Sequence, residues 1–120
     1  MVRPVKQRLV ESKPKSNYFK PRGIPLRMLE ESVLSLDETE ALRLADFLGM
    51  SHEEAGRNMG VSRQTFGRII QSARNKIADA VINGKAINIE GGNYELKEQN
   101  MQGKGQRKRK RQKFWQKIKN

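Results

Sequence analysis

Residues 51–82 read SHEEAGRNMGVSRQTFGRIIQSARNKIADAVI, and their periodicity is interrupted once, at Gly60. Ser51 with Glu54 three positions on has the spacing of a reciprocal N-terminal cap, so a short helix is predicted from there to the glycine. Ser62 is the natural cap of the next one, in which Phe66, Ile69, Ile70, Ala73, Ile77 and Val81 recur at three- and four-residue spacing until Asn83 and Gly84 stop it. A short helix, a tight turn and a long helix make a helix-turn-helix pattern. The first helix must then pass close to the second, which calls for a small residue four positions before the turn glycine, and Gly56 stands there. Gly60 takes φ > 0 without steric cost. Ala55, Met59, Val61, Phe66 and Ile69 are the predicted buried positions that fix the angle between the two helices. An ordinary helical hairpin in another α-domain shares this periodicity, so charge has to separate the two readings.

From Asp37 to Glu54 the chain has six acids against one arginine, whereas from Ser62 to Lys76 it has Arg63, Arg68, Arg74 and Lys76 and no acid. The second helix of the pair is selectively positive. Its first turn, Ser62-Arg63-Gln64-Thr65, has the residue types that enter a DNA major groove at the start of a recognition helix. Arg bonds guanine O6 and N7, Gln pairs with adenine N6 and N7, and Thr meets a thymine methyl or a phosphate. Arg68, one turn on, reaches a base or the backbone. The bland alternative for any one of these residues is a solvated basic face.

Outward from this pair, Asp37 with Glu40 has cap spacing for an earlier helix, whose Ala41, Leu44, Ala45 and Leu48 form one apolar stripe ending at Gly49. Leu26, Leu29 and Val33 suggest a short first helix with Pro25 near its start. After Gly84, Ala86-Ile87-Asn88-Ile89 alternates like a very short strand, and Gly91-Gly92-Asn93 reads as a turn. Residues 1–25, with four prolines and no helical period, are predicted to be an extended basic arm; 26–94 the helical domain, with its helix-turn-helix at 51–82; and 95–120 a basic, disordered tail. The charge follows that division: +6 over residues 1–25, −3 over 26–95 and +9 over 96–120. A slightly acidic unit between two cationic ends is the layout of a module held on a polyanion. In the tail, Arg107, Lys108, Arg109, Lys110 and Arg111 precede Phe114-Trp115. Three readings stand: a phosphate-binding arm acting through counterion release, an amphipathic segment on anionic lipid, or a solvated tail.

A chain of 120 residues excludes a large multidomain enzyme, and it has no cysteine and one histidine, which leaves no thiolate metal site or cysteine nucleophile. No apolar run approaches the roughly 20 residues that cross a bilayer, and nothing marks the N-terminus for secretion, so a cytoplasmic location without membrane contact is expected. His52, Glu53 and Glu54 are explained as first-turn residues at the positive end of a helix dipole rather than as metal ligands. Asp37, Glu38 and Glu40 make no catalytic pair, and Gly91-Gly92 lacks the strand-to-helix setting of a phosphate loop. Neither an enzyme nor a cofactor is expected.

The segments YFKPRGIPL (18–26) and LDETEALRLADFLGMSHEEAGRNMGVSRQTFGRIIQSARNKIADAVINGKAINIEGGNY (36–94) resemble Uncharacterised Protein Family 0251, the domain of unknown function numbered 134, a prokaryotic family of predicted DNA-binding proteins. Residues 53–77, EEAGRNMGVSRQTFGRIIQSARNKI, are also similar to the final, promoter-binding region of bacterial sigma factors. The resemblance implies a helix-turn-helix of that winged-helix-like class. Where family members often carry a cysteine, this chain has Gln7. The expectation is therefore an all-α helix-turn-helix protein that binds double-stranded DNA sequence-specifically as a transcriptional regulator. It would contact DNA through Ser62, Arg63, Gln64, Thr65, Arg68, Arg74, Lys76 and the cations 107–111, meet RNA polymerase, and pair as a homodimer across half-sites about one helical turn apart. The alternative is an RNA- or ribosome-associated basic protein whose helical domain makes protein contacts.

Overall fold

Three serines start the three α-helices. In the computed structural model, which describes residues 7–97, the hydroxyls of Ser35, Ser51 and Ser62 accept from the backbone N–H groups of Glu38, Glu54 and Thr65. Each serine thereby satisfies one of the donors that a helix start leaves unpaired. The helices they open are α1 (Leu36–Leu42), extended by a π-helical turn at Arg43–Phe47, α2 (His52–Met59) and α3 (Arg63–Asn83). α1 thus begins before the expected Asp37 cap. Ser35 and Glu38 form the reciprocal box there, while Asp37 accepts from the Ser35 hydroxyl and pairs with Arg8 at 3.5 Å.

Five strands accompany the helices: β1 (Arg8–Val10), β2 (Tyr18–Phe19), β3 (Glu31–Leu34), β4 (Ala86–Ile89) and β5 (Tyr94–Leu96). β1 and β5 pair in parallel, and β4 lies between an antiparallel β2 and a parallel β3. The fold is mixed α/β, which overturns the all-α expectation. The short β4 anticipated after Gly84 is present, and its partners are what the sequence concealed. The predicted helix from Pro25 is a single 3₁₀ turn at Leu26–Met28 followed by β3. In β3 the polar Ser32 faces inward and donates to the Lys76 carbonyl on α3 at 3.0 Å, while Val33 faces out. Hydropathy and burial therefore disagree at the two central residues, while Glu31 is exposed and Leu34 buried, and the alternation that would announce the strand is lost.

The N-terminal arm, expected to be extended, contains two short strands that pack onto the domain. Val10 is 1% exposed, Leu9 packs beside Gly60, the Glu11 N–H donates to Glu40 at 3.1 Å, and Tyr18 and Phe19 pair with Asn88 and Ile87. Residues 8–19 are stitched to both sheets and to α1. Of the tail expected to be disordered from residue 95, residues 95 and 96 belong instead to β5, and residues 98–120, with the cations 107–111, lie outside the described residues.

The larger core cluster joins Ala41 and Leu44 of α1 and its extension to Ala55 and Met59 of α2 and Phe66, Ile69 and Ile70 of α3. A second joins Leu34, Leu36, Ala73 and Ile89 where α3 crosses the three-stranded sheet. At roughly 1.5–3 kcal/mol per large side chain buried, these clusters hold α3 rigidly along its inner face and leave its outer face to solvent.

Candidate nucleic-acid interface

The turn between α2 and α3 is built on two glycines with different tasks. Gly60 closes α2 at φ 71°, ψ 29°, the left-handed region, where a β-branched side chain is poorly tolerated. Gly56 has an ordinary φ, but a Cβ on it would lie 2.9 Å from the Val61 carbonyl oxygen, closer than packed atoms approach. The spacing read from the sequence thus corresponds to a real close approach, and it fixes where α3 begins. Ala55, Met59, Phe66 and Ile69 are buried as expected, with Val61 packed against them.

α3 then presents its first turns outward. Ser62, Arg63, Gln64 and Arg68 are exposed and Thr65 is half-buried. The Ser62 hydroxyl is occupied with the cap, accepting from the Thr65 N–H and donating to Thr65 Oγ1, both at 3.1 Å. Among the described residues no ion pair holds Arg63 or Arg68. The two other α3 cations of the expected set are engaged within the fold. Arg74 makes a two-pronged bond to Asp46, 2.7 and 3.1 Å, and this hydrogen bonding holds the Asp46 carboxyl below the usual carboxylate range.

Lys76 places Nζ 2.8 and 3.0 Å from the two oxygens of Glu38, a side chain only 10% exposed. Burial pushes the Glu38 carboxyl up, but hydrogen bonds from Lys76, Ser72 and the Ser35 N–H outweigh it and leave the group below its ordinary value. Glu38 is thus the joint between α1 and the middle of α3. The cations 107–111 lie outside the described residues; Arg63 and Thr65 flank Gln64 on the first turn of α3, Gln64, Arg68 and Lys76 line one open trough, and Arg74 and Lys76 are each also ion-paired to α1 or its extension.

Two residues join this surface without having been expected there. Gln71 and Asn75 are exposed on the same side as Gln64 and Arg68, line one open trough with them, and bond to each other at 3.0 Å. Their spacing from Gln64, seven and eleven residues, is a helical period that an amide-blind reading of charge passes over.

His52 packs edge-on against Phe66, ring centres 5.3 Å apart. Among the described residues no three His, Asp or Glu side chains are grouped to hold a metal ion, and no helix is long and apolar enough to cross a membrane.

A family model described as "Protein of unknown function DUF134" matches residues 1–97. Among curated proteins, the chain is 62% identical over 94 residues to a UPF0251 protein of Desulfosudis oleivorans, covering 78% of this chain and 68% of that one. It is 57% identical over 105 residues to a UPF0251 protein of Caldanaerobacter subterraneus, covering 88% and 89%. Over 100 residues it is 52% identical to a UPF0251 protein of Methanococcus vannielii, covering 83% and 77%. No solved structure matches the chain.

Proposed function

The chain belongs to the family described as Protein of unknown function DUF134, and we propose that it binds double-stranded DNA by setting the N-terminal half of α3 into the major groove. The observation that carries this reading is the face formed by Arg63, Gln64, Thr65 and Arg68. Its Arg63, Gln64 and Arg68 are exposed and its Thr65 half-buried at the start of a helix aimed by a rigid turn, with no acid among them and no ion pair on the arginines among the described residues. Such side chains match base edges, at about 1–3 kcal/mol of discrimination for each good bidentate pair. The helix start also offers its dipole to phosphate.

In this reading the protein is a binding module rather than an enzyme, a transcriptional regulator of the cytoplasm that meets RNA polymerase on its operator. One small domain covers limited DNA surface, so a homodimer on two half-sites is the form that suits it. The test is competition: labelled duplex DNA bound to the full chain is challenged with unlabelled duplex or with structured RNA at matched salt. Duplex should displace the label at concentrations where RNA does not. Equal displacement by RNA would replace this reading with that of an RNA- or ribosome-associated polyanion binder.

A further inference from the structure

Gly67 is a half-buried glycine whose place in the packing has room for a Cβ. It stands inside the 21-residue α3, where glycine weakens a helix relative to alanine. A Cβ built on it would meet only His52 Nδ1, at 3.9 Å, an ordinary contact, and its φ is not in the left-handed region. Gly56, by contrast, would collide with backbone. The packing within the chain does not require a glycine there, and glycine also appears where a backbone and a ligand approach closely.

What surrounds Gly67 indicates what that ligand is. Residues advance about 100° each around a helix, so Gln64, Arg68, Gln71 and Asn75 fall within about 60° of one another, and Gly67 borders them. All four are exposed and line the same trough, together with Gly67, Ser72 and the Glu38-bonded Lys76. None is a carboxylate, and each has the paired hydrogen-bonding groups that recognise a purine edge: Gln and Asn for adenine N6 and N7, Arg for guanine O6 and N7. The bond from Gln71 Nε2 to Asn75 Oδ1 leaves Gln71 one N–H and its Oε1, the donor and acceptor that adenine takes. From Gln64 to Asn75 the stripe runs about 16 Å, the height of about five stacked base pairs. Arg63 and Thr65 stand about 100° to either side of Gln64, where a helix lying in the groove meets its walls.

We propose that α3 reads a purine-rich strand along the stripe Gln64, Arg68, Gln71 and Asn75, with the backbone at Gly67 as its point of closest approach and Arg63 and Thr65 gripping the flanking phosphates. This rests on the duplex-DNA reading above and extends it by three residues, Gly67, Gln71 and Asn75, and by the class of sequence read.

The experiment starts with duplexes selected from a random pool by the full wild-type chain, and compares them with scrambled duplexes of the same composition. Gly67→Ala should raise the melting temperature by a few degrees and yet weaken binding to the selected duplex at least about tenfold, with less than about a twofold change on the scrambled one. Stability and affinity should move in opposite directions. Gln71→Ala and Asn75→Ala should each relax the preference at one adenine, read by competition with single-base-pair variants, and leave scrambled-duplex affinity unchanged. A Gly67→Ala protein that melts higher and binds the selected duplex as well as wild type would overturn this inference alone. One that melts lower would show that the fold itself needs the glycine, and would overturn it equally. A wild-type chain that selects no duplex over scrambled DNA would overturn the DNA reading as well.

Discussion

The two halves of α3 hold cations of equal formal charge in opposite circumstances. Arg63 and Arg68, near its start, stand exposed with no ion pair among the described residues. Arg74 and Lys76, in its middle, are bound to Asp46 and Glu38. The first pair is available to a polyanion at little cost. The second is already neutralised by internal carboxylates, and drawing Lys76 away would leave the nearly buried Glu38 carboxylate without its cation, a larger loss than that of a rim contact. Availability, not the number of positive residues, separates an interface from a scaffold. The count of four cations and no acid between Ser62 and Lys76 merges the two, because the acids that neutralise half of them lie 28 and 38 residues earlier in the chain.

The comparison depends on the turn that sets α3 in place, so the largest effect is expected there. Gly56→Ala puts a Cβ 2.9 Å from the Val61 carbonyl oxygen and should cost about 1–3 kcal/mol by overpacking, measured by denaturant unfolding; unchanged stability would mean that the helices do not meet so closely. Next comes the scaffold half itself. Lys76→Ala should lower stability by about 1 kcal/mol, because the Glu38 carboxylate keeps only Ser72 and the Ser35 N–H, while the lysine, being partly exposed, is also screened by solvent. The same joint should respond to acid. Glu38 has a lowered pKa in the folded chain, so its contribution is present above the ordinary value of 4.5 and disappears as the pH falls through the lowered one. Melting curves should therefore decline as the pH falls below about 5, and Glu38→Gln should make that acid limb shallower without abolishing it, since Asp46 and Asp79 are also held below the usual carboxylate range by their cationic partners. The smallest effect belongs to Arg74→Ala, below about 0.5 kcal/mol, since both members of its pair are nearly half exposed.

The helical half of the fold was legible because its signals are local. Ser51, Ser62, Gly60 and Gly84 lie within a turn of the ends they mark, and Phe66, Ile69, Ile70 and Ala73 repeat on one side of α3. The sheets were not legible, because short strands gain meaning only from partners far away in the sequence. β1 pairs with β5 across the whole domain, with Val10 opposite Leu96, and β3 turns Ser32 inward and Val33 outward, the reverse of what hydropathy suggests. Prolines 14, 21 and 25 signalled an irregular arm, yet they lie around and between short strands rather than within them. On the candidate interface, Arg63, Gln64, Thr65 and Arg68 were found by residue type. Gln71 and Asn75 are uncharged and needed the face to be seen. The internal roles of Arg74 and Lys76 needed their carboxylate partners.

The most direct measurement is the affinity of the wild-type chain, Arg68→Ala and Lys76→Ala for a selected duplex and a scrambled one at fixed salt, each value taken on fully folded protein. Arg68→Ala should lose about 1–3 kcal/mol on the selected duplex and much less on the scrambled one, while Lys76→Ala stays within about twofold of wild type on both. Equal binding by wild type and Arg68→Ala, or a loss in Lys76→Ala as large as that in Arg68→Ala, would contradict the division of α3 into a reading half and a scaffold half.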